Sequence, residues 1–178
     1  MPADVSNAFD VAFFFVDMAL SENTHLQPQK LQSLMFLSQS YYAVAFEGRK
    51  LMPAVFVADE RGPLEPNIYM AFSKGRPDLD ADYFLSPEVE KFLTAIWGQF
   101  SNQSTDKITN MIKKTEAFKS AKRRGNRAEI MLKDMQNSFS HGHIEASVDS
   151  LIKPRVYRTQ SGRPVTVKAW KPGDKVAD

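Results

Sequence analysis

Apolar residues recur along the first two thirds of this chain at helical spacing. Phe9, Phe13, Val16 and Leu20 fall at i, i+4, i+7 and i+11, one stripe of an α-helix, and Phe14, Phe15 and Met18 add a second apolar face. A helix apolar on two faces is predicted to be central. Pro28, suited to a first helical turn, opens a second helix whose inner side carries Leu31, Leu34, Met35, Tyr41, Tyr42 and Ala45, with Gly48 as its stop. The two together predict a helical hairpin.

Ala54–Ala58 is a short β-prone run that ends in the charged turn Asp59-Glu60-Arg61-Gly62-Pro63. Pro66 starts a short helix through Ile68, Tyr69 and Phe72, Gly75 ends it, and a loop from Arg76 to Leu85 follows. Ser86 is the expected N-cap of the next helix, with Pro87 at its first position and Glu88 and Glu90 where the helix dipole favours negative charge. Its buried stripe is Val89, Phe92, Leu93, Ile96, Trp97 and Phe100. A fifth helix is expected from about Thr105 to a break near Gly125, with Ile108, Met111, Ile112, Thr115 and Phe118 inward. Asn126 and Glu129 stand at capping-box spacing before Ala128, Met131, Leu132, Met135 and Phe139, which predicts a last helix ended by Gly142. After Ile152 the pattern changes. Val156-Tyr157 and Val165–Ala169 flank a turn-like Gln160-Ser161-Gly162-Arg163, which fits a hairpin or a disordered tail.

The fold expected is mainly α, a compact helical bundle over 1–152 with a small β element, followed by a basic C-terminal extension at 153–178. At 178 residues the chain is long enough to bury a core without a staple. It holds no cysteine, so disulfides, thiolate metal sites and thiol nucleophiles are excluded, and a reducing cytoplasm suits it. The apolar stretch Val11–Leu20 contains Asp17 and falls short of the ~20 residues that span a bilayer, so neither a leader peptide nor a membrane anchor is read. The net charge of +2 conceals an asymmetry: residues 1–112 carry 8 Lys and Arg against 14 Asp and Glu, and residues 113–178 carry 15 against 7. An acidic body with a basic end suits two oppositely charged protein partners, or one basic face for nucleic acid.

Motifs for chemistry are sparse. His141 and His143 have a spacing able to share a metal, but neither His25 nor any other residue supplies an evident third ligand. Asp78, Asp80 and Asp82 resemble the start of a calcium loop, yet the glycine and glutamate that such a loop requires are Tyr83 and Val89 here. There is no Gly-x-Ser-x-Gly elbow, and none of the eight glycines forms a phosphate-cradling pattern. No catalytic, cofactor or metal residue is assigned; an unrecognised hydrolase stays open, because carboxylate pairs leave no short motif. The cluster Lys119, Lys122, Arg123, Arg124 and Arg127 reads as a solvated face, a surface for an acidic protein, or a contact for phosphates.

Two motifs, and a later aromatic segment, resemble a known family. Leu31-Gln32-Ser33-Leu34-Met35-Phe36-Leu37-Ser38-Gln39-Ser40-Tyr41 resembles the helix motif of the Panacea family, a Leu-Gln-x-Leu core followed by an aromatic, a small residue, Gln and an aromatic. Arg61-Gly62-Pro63-Leu64-Glu65-Pro66-Asn67-Ile68-Tyr69 resembles its Gly-Pro-hydrophobic-x-Pro-x-hydrophobic-Tyr signature, and Ile96-Trp97-Gly98-Gln99-Phe100 its later aromatic segment. The likeness covers roughly residues 5–140; Lys113, Lys114 and Phe118 depart from the Thr-His and Trp that many members carry. It implies an antitoxin without chemistry of its own. Such a protein neutralises a cognate toxin by holding it inactive or, as in the SocA-like subgroup, by acting as an adaptor that hands it to the ClpXP protease. A nucleic-acid-binding regulator using the basic C-terminal portion is the alternative. The candidate partner-binding residues are Tyr41, Tyr42, Arg61, Gly62, Pro63, Tyr69, Lys122, Arg123, Arg124 and Arg127. Gly62 is expected at positive φ and Pro63 and Pro66 fix their own, which makes the signature first of all a rigid connector.

Overall fold

The computed structural model describes residues 2–77 and 83–140, together with the backbone of 156–158 and 164–166. The expectations placed on Asp78, Asp80, Asp82, His141, Gly142, His143 and most of the extension fall outside these residues. Within them the chain is mainly helical: α1 (Ala8–Ser21), α2 (Pro28–Ala45), α3 (Pro66–Phe72), α4 (Pro87–Phe100), α5 (Thr105–Lys113), α6 (Glu116–Arg124) and α7 (Leu132–Ser140). Two short antiparallel strands, β1 (Val57–Asp59) and β2 (Gly62–Leu64), pair Val57 with Leu64 and Asp59 with Gly62. β3 (Val156–Arg158) and β4 (Pro164–Thr166) pair antiparallel with each other. Among the described residues no helix is long and apolar enough to cross a membrane.

The middle of the fold is α2, which packs against α1, α3, α4, α5, α7 and β2. Every residue from Leu31 to Ala43 is buried, polar ones included, so a stripe of one face understates it. Its polar side chains are satisfied internally, as burial in a low dielectric requires. Ser38 and Ser40 donate to the carbonyls of Leu34 and Phe36, both at 2.8 Å, and Ser33 lies 3.3 Å from Thr109 Oγ1. Gln39 Oε1 accepts from the Met52 N–H at 3.1 Å, and Gln32 Oε1 from the Glu65 N–H at 2.7 Å. Two glutamines seven positions apart thus satisfy backbone donors in the irregular chain that wraps the helix.

A single cluster of buried side chains runs from Val5 to Phe139. On one side Phe13 and Phe72 rings meet at 5.4 Å, and Phe15 stacks on Trp97 at 6.2 Å. Trp97 is 4% exposed, and its Nε1–H donates to Glu22 at 2.8 Å, closing α1 onto α4. On the other side Phe36 meets Phe56 at 5.5 Å and Phe139 at 6.1 Å. Ser86 caps α4 as expected, its Oγ accepting from the Val89 N–H at 3.3 Å.

Two expectations are corrected. The fifth helix is not continuous to Gly125. At φ −66°, ψ 149° Thr115 leaves the helix and becomes the N-cap of α6, so it ends α5 instead of packing inward. The capping box at Asn126–Glu129 is also wrong. Ala128 O accepts from Ala58 N–H at 2.9 Å, Ile130 N–H donates to Phe56 O at 2.7 Å, and Val57 bridges Glu129, so 128–130 lies as a strand along β1. Helix α7 begins at Leu132, and Met131, expected inward, is 48% exposed. The free edge of β1 accounts for this: orphaned buried donors and acceptors cost ~1–3 kcal/mol each, more than a capping box returns.

Candidate functional site: a groove beside the Gly-Pro hairpin

The connector Arg61–Tyr69 is built against α2 and α5. Gln29 Nε2 donates to the Arg61 carbonyl at 3.1 Å, and the Gln32 bond to Glu65 N–H holds the other end. Gly62 has φ +133°, and a Cβ placed on it would lie 2.8 Å from Thr109 Cγ2, so both conformation and space require glycine. Pro63 is buried. Glu65 is a buried carboxylate satisfied locally, accepting from Ile68 N–H at 2.7 Å and Asn67 Nδ2 at 3.2 Å, which caps α3. The sequence motif shows no reason for that glutamate until the cap is seen.

This hairpin walls an open groove of about 440 Å³. Asp59, Glu60, Arg61 and Leu64 come from the hairpin. Tyr69 from α3 and Asn126 and Arg127 from the turn after α6 complete it. Arg127 Nε donates to Asp59 Oδ2 at 2.8 Å, and the Asp59 side chain is 12% exposed against 62% for Arg127. Burial alone would raise the Asp59 carboxyl. The Arg61 N–H, the Arg127 guanidinium and the nearby charge of Lys122 outweigh it and hold the group below the usual aspartate range. Arg127 stands at φ +55°, a left-handed conformation uncommon for a residue with a β-carbon. Three of the candidate residues therefore meet at one place, Arg61 and Tyr69 from the two ends of the Gly-Pro signature and Arg127 from a distant part of the chain. Asp59, Glu60 and Asn126 are groove members not among the sequence candidates: the first two share the charged turn with Arg61, and Asn126 reads in the sequence as a helix cap.

The remaining candidates lie elsewhere. Tyr41 and Tyr42 are 7% and 5% exposed. Tyr41 packs on Phe100 at 6.0 Å and Phe139 at 5.3 Å. Tyr42 stacks on Phe46 at 4.2 Å and donates its hydroxyl to Asp4, which also pairs with Arg49. Burial, with the hydrogen bond to Asp4 second, pushes the Tyr42 hydroxyl well above the ordinary tyrosine value. Both tyrosines belong to the core and not to the groove. Gly62 and Pro63 shape the groove from below without reaching its surface.

Most of the basic run is occupied. Arg123 pairs with Glu116. Arg124 donates to Ser120 Oγ at 3.0 Å and to the Glu129 carbonyl at 2.6 Å, and lies 3.8 Å from Asp134. Arg127 is held by Asp59. Lys122 is half-buried, with the groove's Asp59 within reach of its charge. Among the described residues no group of three or more His, Asp or Glu side chains is placed to hold a metal ion. No family model, no curated protein and no solved structure matches the chain.

Proposed function

We propose that this chain is a cytoplasmic antitoxin of the Panacea type, a protein-binding module without catalysis, whose partner seats on the groove between the hairpin, α3 and Arg127. One observation carries the reading. The two stretches that bear the resemblance are bonded to each other in the fold, Gln32 accepting from Glu65 N–H at 2.7 Å, and the connector they make presents Arg61 and Tyr69 to an open groove. A helix motif and a Gly-Pro signature that join in one rigid connector have a reason to occur together. Among the described residues Arg123, Arg124 and Arg127 are paired internally, so this cluster offers a row of phosphates fewer free cations, which favours a protein partner at the groove.

The test is co-expression with the small protein encoded by the adjacent reading frame. That protein alone is expected to stop growth, and this chain to restore it and co-purify with it. A harmless neighbour, or unchanged arrest with no complex, overturns the proposal. Following the toxin's half-life separates the two modes. Rapid loss dependent on ClpXP marks delivery to the protease, and a stable inactive complex marks direct inhibition.

A further inference from the structure

We infer that the groove recognises a carboxylate on an acidic segment of its protein partner, with Arg61 as the cation that takes it. This rests on the partner-binding reading above and adds the chemistry of what is bound. Among the described residues the Arg61 guanidinium, the Tyr69 hydroxyl and the Asn126 carboxamide have no hydrogen-bond or ion-pair partner, and all three line the same groove. The groove's buried acid, Asp59, is already neutralised by Arg127 at 2.8 Å. Lys122 adds positive charge behind it. What remains unspent is a guanidinium fork and two neutral polar groups able to donate, set against the exposed Glu60 at the hairpin tip. An incoming carboxylate can take two parallel N–H bonds from the fork, together with the Tyr69 O–H or an Asn126 N–H. An incoming cation would find Asp59 occupied and only the exposed Glu60 to pair with, where Arg61, Arg127 and Lys122 outnumber the two acids.

The backbone of Arg61 is used on both sides, its N–H by Asp59 at 3.1 Å and its carbonyl by Gln29 at 3.1 Å, while its side chain has no partner among the described residues. The guanidinium therefore projects from a fixed turn, and placing it for a partner costs the freedom of the side chain but not that of the backbone. A phosphate backbone is the less suitable occupant of the groove, because it rewards a row of free cations, and among the described groove residues Arg61 alone is an unpaired cation.

Short fluorescein-labelled peptides test this on the full chain: one rich in Glu and Leu, companions with every Glu replaced by Gln or by Lys, and a labelled DNA duplex. The Glu peptide is expected to bind at least about tenfold tighter than the Gln peptide, the scale of one charge-assisted hydrogen bond. Arg61→Glu should abolish that preference and turn it toward the Lys peptide, with an unchanged melting curve. Lys91→Glu, the same charge change on α4, should leave the preference intact. Equal affinity for the Glu and Gln peptides, or an Arg61→Glu variant that still prefers Glu, overturns the inference. So does a duplex that competes for the groove and loses affinity with Arg61→Glu. Neutralisation of the neighbour's toxin keeps the two readings apart. If it survives Arg61→Glu, the antitoxin proposal stands and carboxylate recognition falls. If the wild-type chain fails to neutralise while peptide discrimination persists, the reverse holds.

Discussion

Helices α2 and α6 are both rich in polar residues, and they use them in opposite ways. On α2 the glutamines and serines are buried and spent on fixed partners: Gln32 on Glu65 N–H, Gln39 on Met52 N–H, and Ser33 beside Thr109. On α6 only Ala117, Phe118 and Ala121 are buried, and Arg123 and Arg124 sit in solvent, paired with Glu116 and Asp134. A polar side chain in the interior serves as a backbone substitute, because the group it satisfies has no water to turn to. On the surface the same polarity competes with water and contributes little. The number of polar contacts on a helix thus says nothing of its weight in the fold; the dielectric around them does.

The largest effect expected comes from the apolar part of α2. Phe36→Ala removes a ring wedged between Phe56 and Phe139 and should cost ~3–5 kcal/mol in urea denaturation. A loss below that of an ordinary surface change would deny α2 its central place. Next, Gln32→Leu leaves the Glu65 N–H without its acceptor and should cost ~1–3 kcal/mol, although it adds apolar surface to a buried site. A neutral or stabilised variant would break the contrast between the two helices at its strongest point.

Gly62→Ala tests the hairpin that α2 holds. Left-handed strain and the Thr109 contact should together lower stability by ~1–3 kcal/mol. Adding Thr109→Ser removes Cγ2 while keeping the hydroxyl near Ser33, so it should recover the steric share and leave the conformational one. Full recovery would show that the positive φ is immaterial.

Asp59 gives a pH dependence of defined sign. Its folded pKa lies below the ordinary 3.8, so its contribution is complete above that value and is lost as the pH falls through the lower, folded one. Arg127→Ala takes away part of that stabilisation, and denaturation midpoints followed from neutral pH downward should fall less steeply in the variant than in wild type at the acid end. Parallel curves would show that the pair does not couple to folding. The smallest effect is reserved for α6: Arg123→Ala, which removes the exposed partner of Glu116, should leave the midpoint unchanged. A measurable loss there would make the surface pairs of α6 equal in kind to the buried bonds of α2.

Much of the fold was legible along the chain because its signals are local. Pro28, Pro66 and Pro87 open helices, Ser86 caps one, Gly62 takes positive φ, and the stripe Val89 to Phe100 is buried as its spacing foretold. Each of these rests on a conformational preference of one residue or on the helical repeat, and neither needs a distant neighbour. Of the site, Arg61, Tyr69 and Arg127 were legible as types suited to contact, but nothing in their order said that they meet. Asp59 and Asn126 were visible only as a turn residue and a helix cap, not as members of a site.

What the tertiary structure alone decided shares one physical cause, the need to satisfy buried backbone groups from elsewhere in the chain. Residues 128–130 had the spacing of a capped helix and became a strand because Phe56 O and Ala58 N–H stood unpaired beside them. Gln32 and Gln39, which the sequence shows only as members of a motif, are acceptors for donors 33 and 13 positions away. Arg127 reached Asp59 across 68 positions and closed the groove. Local sequence determined where helices could start; the accounting of hydrogen bonds across the core decided which of them continued and which polar residues were left free to meet a partner.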